Sequence, residues 1–508
     1  MFLKYMKKKS SDSLTKITFK NLFYNSATIF ISKIGGFILT IFLARWLLPE
    51  LFGVYALVLS IVFIVFSFTD LGANETAARY VSDALGKNKK AMAFSYFSYI
   101  LKVKLLLIIS GVVILLILSK FIAYNVFNKP EVFLPLIAAT FYILINSSRS
   151  FLNTLFYAIK DLSNFPLVNF ILHGSKIIFA LIALLVFSGV SAVSAVFVAF
   201  AASSLLTLLS TIFILKRKHA FSFSEKKTSI NKKRVMKYLW FVGISNLSLV
   251  VFGSVDTIML GKFVEVSYIG YYQVAFSLVA SLSALFAVSG IFVPTFTQIH
   301  GKRLRRAMTK SLRYIFIVSI PAVVGLIFIS PYALLLFFGK EYLPATMVLY
   351  ALSFFLLISP SLEIYSSLFK AKEKTKILAL LVFISLVLNI VLNYIFITSL
   401  LEFGQNYAIL GAAMATLISR GFYLSALMLK TKSFFKVNMP KIPIFKAILS
   451  TVVMSFALYA YNLHININIL TGFLEIILGI SVYFSTMFLI KGIDKEDILL
   501  FRNLIRKS

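Results

Sequence analysis

The amino-acid sequence, 508 residues long, contains no cysteine, only four histidines and only 18 acidic residues. The absence of cysteine excludes disulfide bonds, thiolate metal sites and a cysteine nucleophile. The histidines lie far apart, so a histidine-rich metal centre is not expected. No P-loop or other phosphate-cradling glycine motif occurs, which argues against ATP hydrolysis. These absences favour a protein that is not an enzyme and that has no organic cofactor.

Hydrophobic residues, in contrast, make up 60% of the chain, and the mean hydropathy is +0.94. Soluble domains seldom exceed about half apolar residues, so the composition predicts an all-α integral membrane protein. A helix needs about 20 apolar residues to cross roughly 30 Å of hydrocarbon. By this rule the sequence predicts fourteen spans, at residues 22–44, 51–70, 103–123, 132–158, 164–188, 191–215, 238–261, 268–293, 314–337, 343–369, 377–400, 408–429, 447–462 and 471–490.

The formal net charge of +33 is distributed unevenly between the two sides of this topology. Of the 51 basic residues, 42 lie in one alternating set of links and tails, and 5 lie in the opposite set. Basic residues concentrate on the cytoplasmic side of membrane proteins, so both termini are predicted to be cytoplasmic in a multi-pass protein of the cell membrane. The charge then reflects topology and attraction to anionic membrane lipids, and we expect no nucleic-acid partner.

A stretch at residues 43–55, LARWLLPELFGVY, has a counterpart in the second half of the chain. A shift of 217 residues places ARWLLPELFGVYALVLS on GKFVEVSYIGYYQVAFS, which aligns Gly53 with Gly270 and Tyr55 with Tyr272. At a shift of 212, YAIKD at 157–161 falls on FKAKE at 369–373. We therefore predict two six-helix lobes related by a parallel repeat, a layout that transporters use around a central binding site.

The predicted domains are an N-terminal lobe at residues 1–237, a C-terminal lobe at 238–429, and two further helices with a cytoplasmic tail at 430–508. Four segments in this order, LARWLLPELFGVYALV, FTDLGANETAARYVS, SVDTIMLGKFVEVSYIGYYQVA and LNIVLNYIFI with GAAMAT, resemble the Wzx-like polysaccharide flippases. These belong to the multidrug/oligosaccharidyl-lipid/polysaccharide exporter superfamily. The resemblance implies alternating-access translocation of a (pyro)phosphate-bearing oligosaccharide on a polyprenyl or dolichyl carrier, together with glycan polymerase or transferase machinery.

Four cations are predicted to lie near the middle of spans: Lys33, Arg149, Lys176 and Arg420. Ionisable groups at this depth are costly and normally face a cavity or a partner. Four cations with few acids at the same depth suggest a cavity for an anion, such as the phosphate of a lipid-linked glycan. The alternative for Lys33 and Lys176 is that they extend to the interface or pair locally.

A second polar group in the C-terminal lobe consists of Asp256, Asn389, Asn393 and Thr416. One carboxylate with amide and hydroxyl oxygens suits a hard monovalent cation. The resemblance to lipid II flippases of the same superfamily implies a sodium site at these positions, with Asn393 where a second acid is expected. The alternative is a structural polar cluster that ties three helices together.

Two other functions share these features. A cation-coupled multidrug or metabolite exporter would need acidic intramembrane groups, whereas the first lobe contains central cations. A membrane glycosyltransferase would need acids or histidines at one face, but the longest link, 216–237, is basic and has Glu225 as its only acid.

Glu75 and Arg79, four residues apart, are predicted to pair with each other.

Overall fold

The computed structural model describes residues 2–159, 161–217, 228–286, 289–465 and 468–493. Within these ranges the chain is helical and contains no strand, which confirms the all-α prediction. It forms two compact units, Met1–Gln273 and Val274–Ser508. The predicted C-terminal tail from residue 494 and part of the 216–237 link lie outside the described ranges. The domain boundaries predicted at 237 and 429 stay predictions.

The first unit contains seven helices and the start of an eighth in its described part: α1 (Phe2–Asp70), α2 (Ala73–Gly86), α3 (Lys90–Phe121), α4 (Phe133–Ala158), α5 (Phe165–Val186), α6 (Gly189–Arg217), α7 (Lys232–Phe263) and α8 (Val266–Phe286). The described helices that lie wholly in the second unit are α9 (Ser289–Gln298), α10 (Gly301–Phe337), α11 (Thr346–Ser353), α12 (Phe355–Ala371), α13 (Thr375–Leu401), α14 (Gln405–Phe435), α15 (Lys441–His464) and α16 (Ile469–Leu489).

Eleven helices in the described ranges are long and apolar enough to cross a membrane, or up to twelve if one bent pair forms a single span. That pair, Lys340–Ser353 with Phe355–Ala371, bends by 41°. These helices confirm a multi-pass membrane protein. The number fourteen stays a prediction.

Helix α1 contains two of the predicted spans, separated by a break at Leu48, whose φ is 58° and ψ is 171°. Proline disfavours helical geometry in the residue before it, and Pro49 follows at once. The half of α1 before this break runs parallel to α5, with contacts of Ser32 to Asn169 and of Gly35 to His173. The half after it runs parallel to α4, with contacts of Phe66 to Tyr142 and of Thr69 to Ser147. Because α4 and α5 are antiparallel, the chain reverses at Leu48 and α1 is a helical hairpin.

The hairpin turn of α1 packs against the start of α8 through two glycines. A Cβ on Gly53 would lie 1.7 Å from the carbonyl oxygen of Val266, and a Cβ on Gly270 would lie 2.3 Å from that of Pro49. The backbones therefore approach more closely than any side chain would allow. These are the segments that the 217-residue shift aligns, so the two copies of the repeat contact each other.

One core of the first unit is built on the amphipathic helix α2. Its buried residues recur every three to four positions, at Ala73, Ala77, Val81 and Ala84, as one face of a helix requires. They pack with Phe97 of α3 and Phe151 of α4, whose rings stack with centroids 5.5 Å apart. This packing fixes the ends of α1, α3, α4 and α7 around α2.

The second unit has its main core where α10, α12 and α14 meet. Met308, Leu312, Leu368 and Leu427 are fully buried there. A smaller core joins α10 to α15 and α16. Helix α16 begins with a capping box, in which the Asn468 side chain accepts from the Thr471 N–H and Thr471 Oγ1 accepts from the Asn468 N–H.

Candidate functional site

Two of the predicted substrate-binding cations are held by one face of α4. Lys176 Nζ donates to the hydroxyl of Tyr142 at 2.8 Å and lies over the rings of Tyr142 and Phe200, 4.8 and 4.7 Å from their centroids. One helical turn further along, Asn146 Oδ1 accepts from Arg149 Nε at 3.0 Å and from Arg149 Nη2 at 2.8 Å. Tyr142 and Arg149 are seven residues apart, roughly 10 Å along the helix axis. The two cations thus belong to one polar face of the first unit.

The same face of α4 borders a cavity of about 610 Å³ inside the first unit. Its lining comes from α1, α2, α3, α4 and α7 and includes the polar residues Ser67, Asp70, Asn74, Glu75, Lys104, Asn146, Ser147, Ser150, Asn246 and Ser254. Phe63, Phe66 and Leu249 supply apolar surface. The volume lies in the range of about 300–1,000 Å³ that is typical of small-molecule sites.

A buried ion pair lines this cavity. Lys104 Nζ lies 2.7 Å from Asp70 Oδ1, and the side chains are 2% and 20% exposed. Lys104 lies inside α3 and is buried against the end of α1. Neither Lys104 nor Asp70 was among the site residues predicted from the sequence.

Two polar atoms at this cavity are left without a hydrogen-bond partner within the described part of the chain. They are Ser67 Oγ and Asn74 Oδ1, both buried. The amide nitrogen of Asn74 donates to Ser150 Oγ at 3.0 Å, so its orientation is fixed. Buried polar atoms are nearly always hydrogen-bonded. An amide oxygen and a hydroxyl group that both lack a hydrogen-bond partner suit a ligand that carries hydroxyl groups.

The predicted pairing of Glu75 with Arg79 is wrong, because both side chains have other partners at the rim of the cavity. Glu75 Oε1 accepts from Asn246 Nδ2 at 3.0 Å. Arg79 instead lies over the ring of Tyr238, 4.4 Å from its centroid. The i,i+4 spacing permits an ion pair, but both side chains have better-placed partners on α7. Glu75 is thereby directed to the cavity and not to its own helix.

The other two predicted cations have different surroundings. Lys33 is exposed on the first half of α1. Arg420 of the second unit lies over the ring of Phe355, 4.9 Å from its centroid. The substrate role of Lys33 and Arg420 stays a prediction.

Three residues of the predicted cation site come together in the second unit. Asn389 Nδ2 donates to Thr416 Oγ1 at 3.3 Å, and Asn393 Nδ2 donates to the carbonyl of Asn389 at 3.0 Å. All three residues are buried, with exposures of 0%, 0% and 1%. Asn389 Oδ1 accepts no hydrogen bond from the described residues. An amide oxygen and a hydroxyl oxygen on neighbouring helices fit the oxygen ligands that hard cations prefer.

The fourth predicted member, Asp256, belongs to the first unit. It is 3% exposed, and its Oδ2 accepts from the hydroxyl of Tyr272 at 2.8 Å. This bond orients the carboxylate of Asp256. The prediction that Asp256 shares one cation with the three residues of the second unit stays a prediction.

Two family sequence models match the chain. The model described as polysaccharide biosynthesis protein matches residues 18–300, and the model described as MatE matches residues 242–395. Over 300 residues the chain is 26% identical to the probable low-salt glycan biosynthesis flippase Agl15 of Haloferax volcanii, covering 56% of this chain and 60% of that protein. The match thus spans about three fifths of the length of this curated relative.

Solved structures of transporters have the same fold. The lipid II flippase MurJ in its inward closed conformation is 20% identical, with a TM-score of 0.70 over 95% of this chain and 99% of that one. An inward-facing multidrug resistance MATE family transporter is 14% identical, with a TM-score of 0.63 over 80% and 96%. A transporter from Pyrococcus furiosus is 15% identical, with a TM-score of 0.57 over 82% and 97%. These similarities establish the all-helical transporter fold.

Proposed function

The chain belongs to the polysaccharide biosynthesis protein family of the multidrug/oligosaccharidyl-lipid/polysaccharide exporter superfamily, and we propose that it moves a lipid-linked oligosaccharide across the cell membrane by alternating access. The observation that carries the proposal is the polar cavity of the first unit, which contains two unpartnered polar atoms and is lined by Asn146, the partner of Arg149. The name of the Haloferax volcanii relative, a glycan biosynthesis flippase, supports a glycan as the cargo.

The phosphate or pyrophosphate of the substrate is assigned to Arg149 and Lys176. Asn146 accepts from Nε and Nη2 of Arg149, so the guanidinium orientation is fixed while the Nη1 edge can still donate to an anion. Lys176 retains donors beyond its bond to Tyr142, since an ammonium group has three. Two oriented cations would offset the cost of carrying an anion through hydrocarbon.

The glycan is assigned to the cavity itself. Asn74 Oδ1 can accept from a sugar hydroxyl, and Ser67 Oγ can donate or accept. Asp70 and Glu75 add carboxylate acceptors, and the rings of Phe63 and Phe66 offer apolar surface. Because Asp70 pairs with Lys104, its carboxylate is not an isolated negative charge.

Coupling to a monovalent cation, Na⁺ in the first place, is assigned to Asn389, Asn393 and Thr416. The unpartnered Asn389 Oδ1 is the observation that supports a bound cation there. When bound, the cation would supply a bias between inward-facing and outward-facing states through its differential affinity for them. Participation of Asp256 is part of the same proposal.

A second candidate function is a cation-coupled multidrug or metabolite exporter of the same superfold. The match of the MatE model to residues 242–395 and the carboxylates of Asp70 and Glu75 at the cavity favour it. A cationic drug would pair with these carboxylates, whereas Lys104 and Arg149 would repel it. We therefore place this function second.

The further parts of the proposal concern the surroundings of the protein. The substrate is a polyprenyl- or dolichyl-linked oligosaccharide, and glycan polymerase or transferase machinery would act on the product. Both termini are cytoplasmic, as the distribution of basic residues predicts.

The experiment is reconstitution of the purified protein in liposomes with a fluorescent lipid-linked oligosaccharide. Transport is measured as the fraction of glycan that becomes accessible to a membrane-impermeant lectin or hydrolase. We expect transfer with wild type and background rates with Arg149→Ala/Lys176→Ala. Efflux of a cationic dye without movement of the glycan would replace the flippase proposal with the exporter function.

A further inference from the structure

The second unit contains a cavity of about 1740 Å³ that the transport proposal does not use. Four of its cations, Arg305, Arg306, Lys310 and Arg313, come from α10. Lys432 comes from α14, Lys436 from the following link, and Lys441 from α15. No aspartate or glutamate is among the described residues that line it.

The basic face of α10 is fixed by the core behind it. Leu304, Met308 and Leu312 are buried in the main core of the second unit, which turns the alternate positions of the same turns toward the cavity. The cations of α10 therefore recur at helical spacing on one side. Because the opposite face of α10 is buried in the core, the helix cannot rotate about its axis, and its cations stay close together.

The link between α14 and α15 is anchored as well. Lys436 ends α14 in the left-handed conformation, with φ 53° and ψ 37°. Val437 beside it is 5% exposed and belongs to the core. The carbonyl of Asn438 accepts from Thr309 Oγ1 at 3.4 Å, so the link lies on α10. The cations of the link and of α10 are held around one concave space.

Apolar side chains border the same cavity. Leu429, Ile442 and Phe445 are 70%, 70% and 67% exposed and line it together with the cations. An ordinary basic link would expose its charges to water and would need no apolar surface beside them. The combination of clustered cations with adjoining exposed apolar side chains matches a molecule with an anionic head and hydrocarbon chains.

We infer that this cavity binds the phosphodiester headgroup of an anionic phospholipid, with its acyl chains along Leu429, Ile442 and Phe445. The cluster occupies the end of the second unit that the charge distribution predicts to be cytoplasmic, and anionic lipids are attracted to basic segments on that side. Like charges with no acid among them repel, so a bound phosphate stabilises their arrangement. The inference does not depend on the transport proposal.

The headgroup is tested by titrating the purified full-length protein in detergent with fluorescent phosphatidylglycerol and, separately, with fluorescent phosphatidylcholine. We expect tighter binding of phosphatidylglycerol, weakened about tenfold or more by Arg305→Gln/Arg306→Gln/Lys436→Gln. The matched control is Lys89→Gln/Lys90→Gln/Lys102→Gln, which removes three exposed cations of the first unit. Equal weakening by both triple variants would show general surface charge and overturn the inference.

The acyl chains are tested on α15. Phe445→Ser should weaken phosphatidylglycerol binding severalfold, whereas Phe456→Ser, at a position of similar exposure (71%) outside the cavity lining, should not. Competition by water-soluble glycerophosphate or inorganic phosphate is measured on wild type. Competition at the same concentration as the lipid would identify a free phosphate site and would overturn the lipid as occupant.

Discussion

Gly53 of α1 and Gly270 of α8 lie opposite each other, and each faces a backbone carbonyl of the other helix. Gly53 faces the carbonyl of Val266, and Gly270 faces that of Pro49. The 217-residue shift that aligns the glycines also aligns Pro49 with Val266. The contact is therefore reciprocal, as in a two-fold symmetric interface. This supports the predicted repeat with an observation that sequence similarity alone could not give.

Gly53→Ala is expected to destabilise the protein because the new Cβ would lie 1.7 Å from the carbonyl oxygen of Val266. The helices must separate, at a cost of about 1–3 kcal/mol or more. A lower thermal unfolding midpoint in detergent would show this. Gly36→Ala on the same helix, with no atom within 4 Å of the new Cβ, serves as the control. Equal midpoints for the two variants would contradict the close approach.

Removal of one partner of the Asp70–Lys104 pair should be more harmful than removal of both. Lys104→Met leaves the Asp70 carboxylate without its counter-ion, and loss of one partner of a buried pair typically costs about 3–5 kcal/mol. Asp70→Asn/Lys104→Met should recover most of this stability. The unfolding midpoints of the wild type, both single variants and the double variant form the double-mutant cycle.

The exposed pair Asp83–Lys87 is the matched control for that cycle. Its charged atoms are 2.8 Å apart, close to the 2.7 Å of the Asp70–Lys104 pair, but both side chains are 60% exposed. Water screens such pairs, so Lys87→Met should leave the midpoint nearly unchanged. If the losses of stability in the two single variants add up to the loss in the double variant, the interaction energy between Asp70 and Lys104 is zero.

The fold was largely predictable because it depends on long apolar runs and on charge placement, both readable along the chain. The site was predictable only in part. The partner of Arg149 is within reach of local spacing, because Asn146 is only three residues away on the same helix. The Asp70–Lys104 pair was not predicted, because hydropathy cannot show that a lysine is buried against a carboxylate 34 residues away.

The wrong pairing of Glu75 with Arg79 has a similar cause. Both residues are satisfied by α7, through Asn246 and Tyr238, which lie far away in sequence. The lack of a hydrogen-bond donor for Asn74 Oδ1 could not be predicted either, since it depends on which atoms of other helices surround this oxygen. Helical spacing shows which residues can meet on one helix, but not which tertiary partner competes for them.

The predicted topology can be tested with single cysteines, because the chain contains none. Ser229 is exposed in the link before α7, and Glu402 is exposed between α13 and α14. We expect Ser229→Cys to react with an impermeant maleimide only after the membrane is opened, and Glu402→Cys to react in intact cells. External labelling of Ser229→Cys would exclude cytoplasmic placement of this link and with it the assignment of both termini.

Arg149→Ala and Lys176→Ala are each expected to lower glycan transport at least about tenfold while the protein still inserts and accumulates. Each removes one of the oriented charges that compensate phosphate. Arg149→Lys should restore little activity, since an ammonium lacks the forked geometry that Asn146 orients. Lys102→Ala, at an exposed position of α3, is the control. Full complementation of a flippase-deficient strain by Arg149→Ala/Lys176→Ala would remove both residues from the substrate site.

The last prediction concerns the driving force. A ligand shifts a conformational equilibrium only by its differential affinity for the two states. If Na⁺ binds at the predicted cation site, Asp256 supplies most of the electrostatic attraction, because the other members, Asn389, Asn393 and Thr416, are neutral. Asp256→Asn should therefore abolish any Na⁺-dependent change in the accessibility of cysteines placed on the two predicted sides of the membrane.

Asn389→Leu should have the same effect, since it removes the buried oxygen that has no donor among the described residues. Ser385→Ala provides the matched control one turn away on α13. Ser385 is equally buried, and its hydroxyl donates to the carbonyl of Leu381 at 2.8 Å, so its replacement alters the same helix without removing the Asn389 oxygen. We expect Ser385→Ala to respond to Na⁺ as wild type does. A wild type that is insensitive to Na⁺, or an Asp256→Asn variant that responds as strongly, would identify these residues as structural packing.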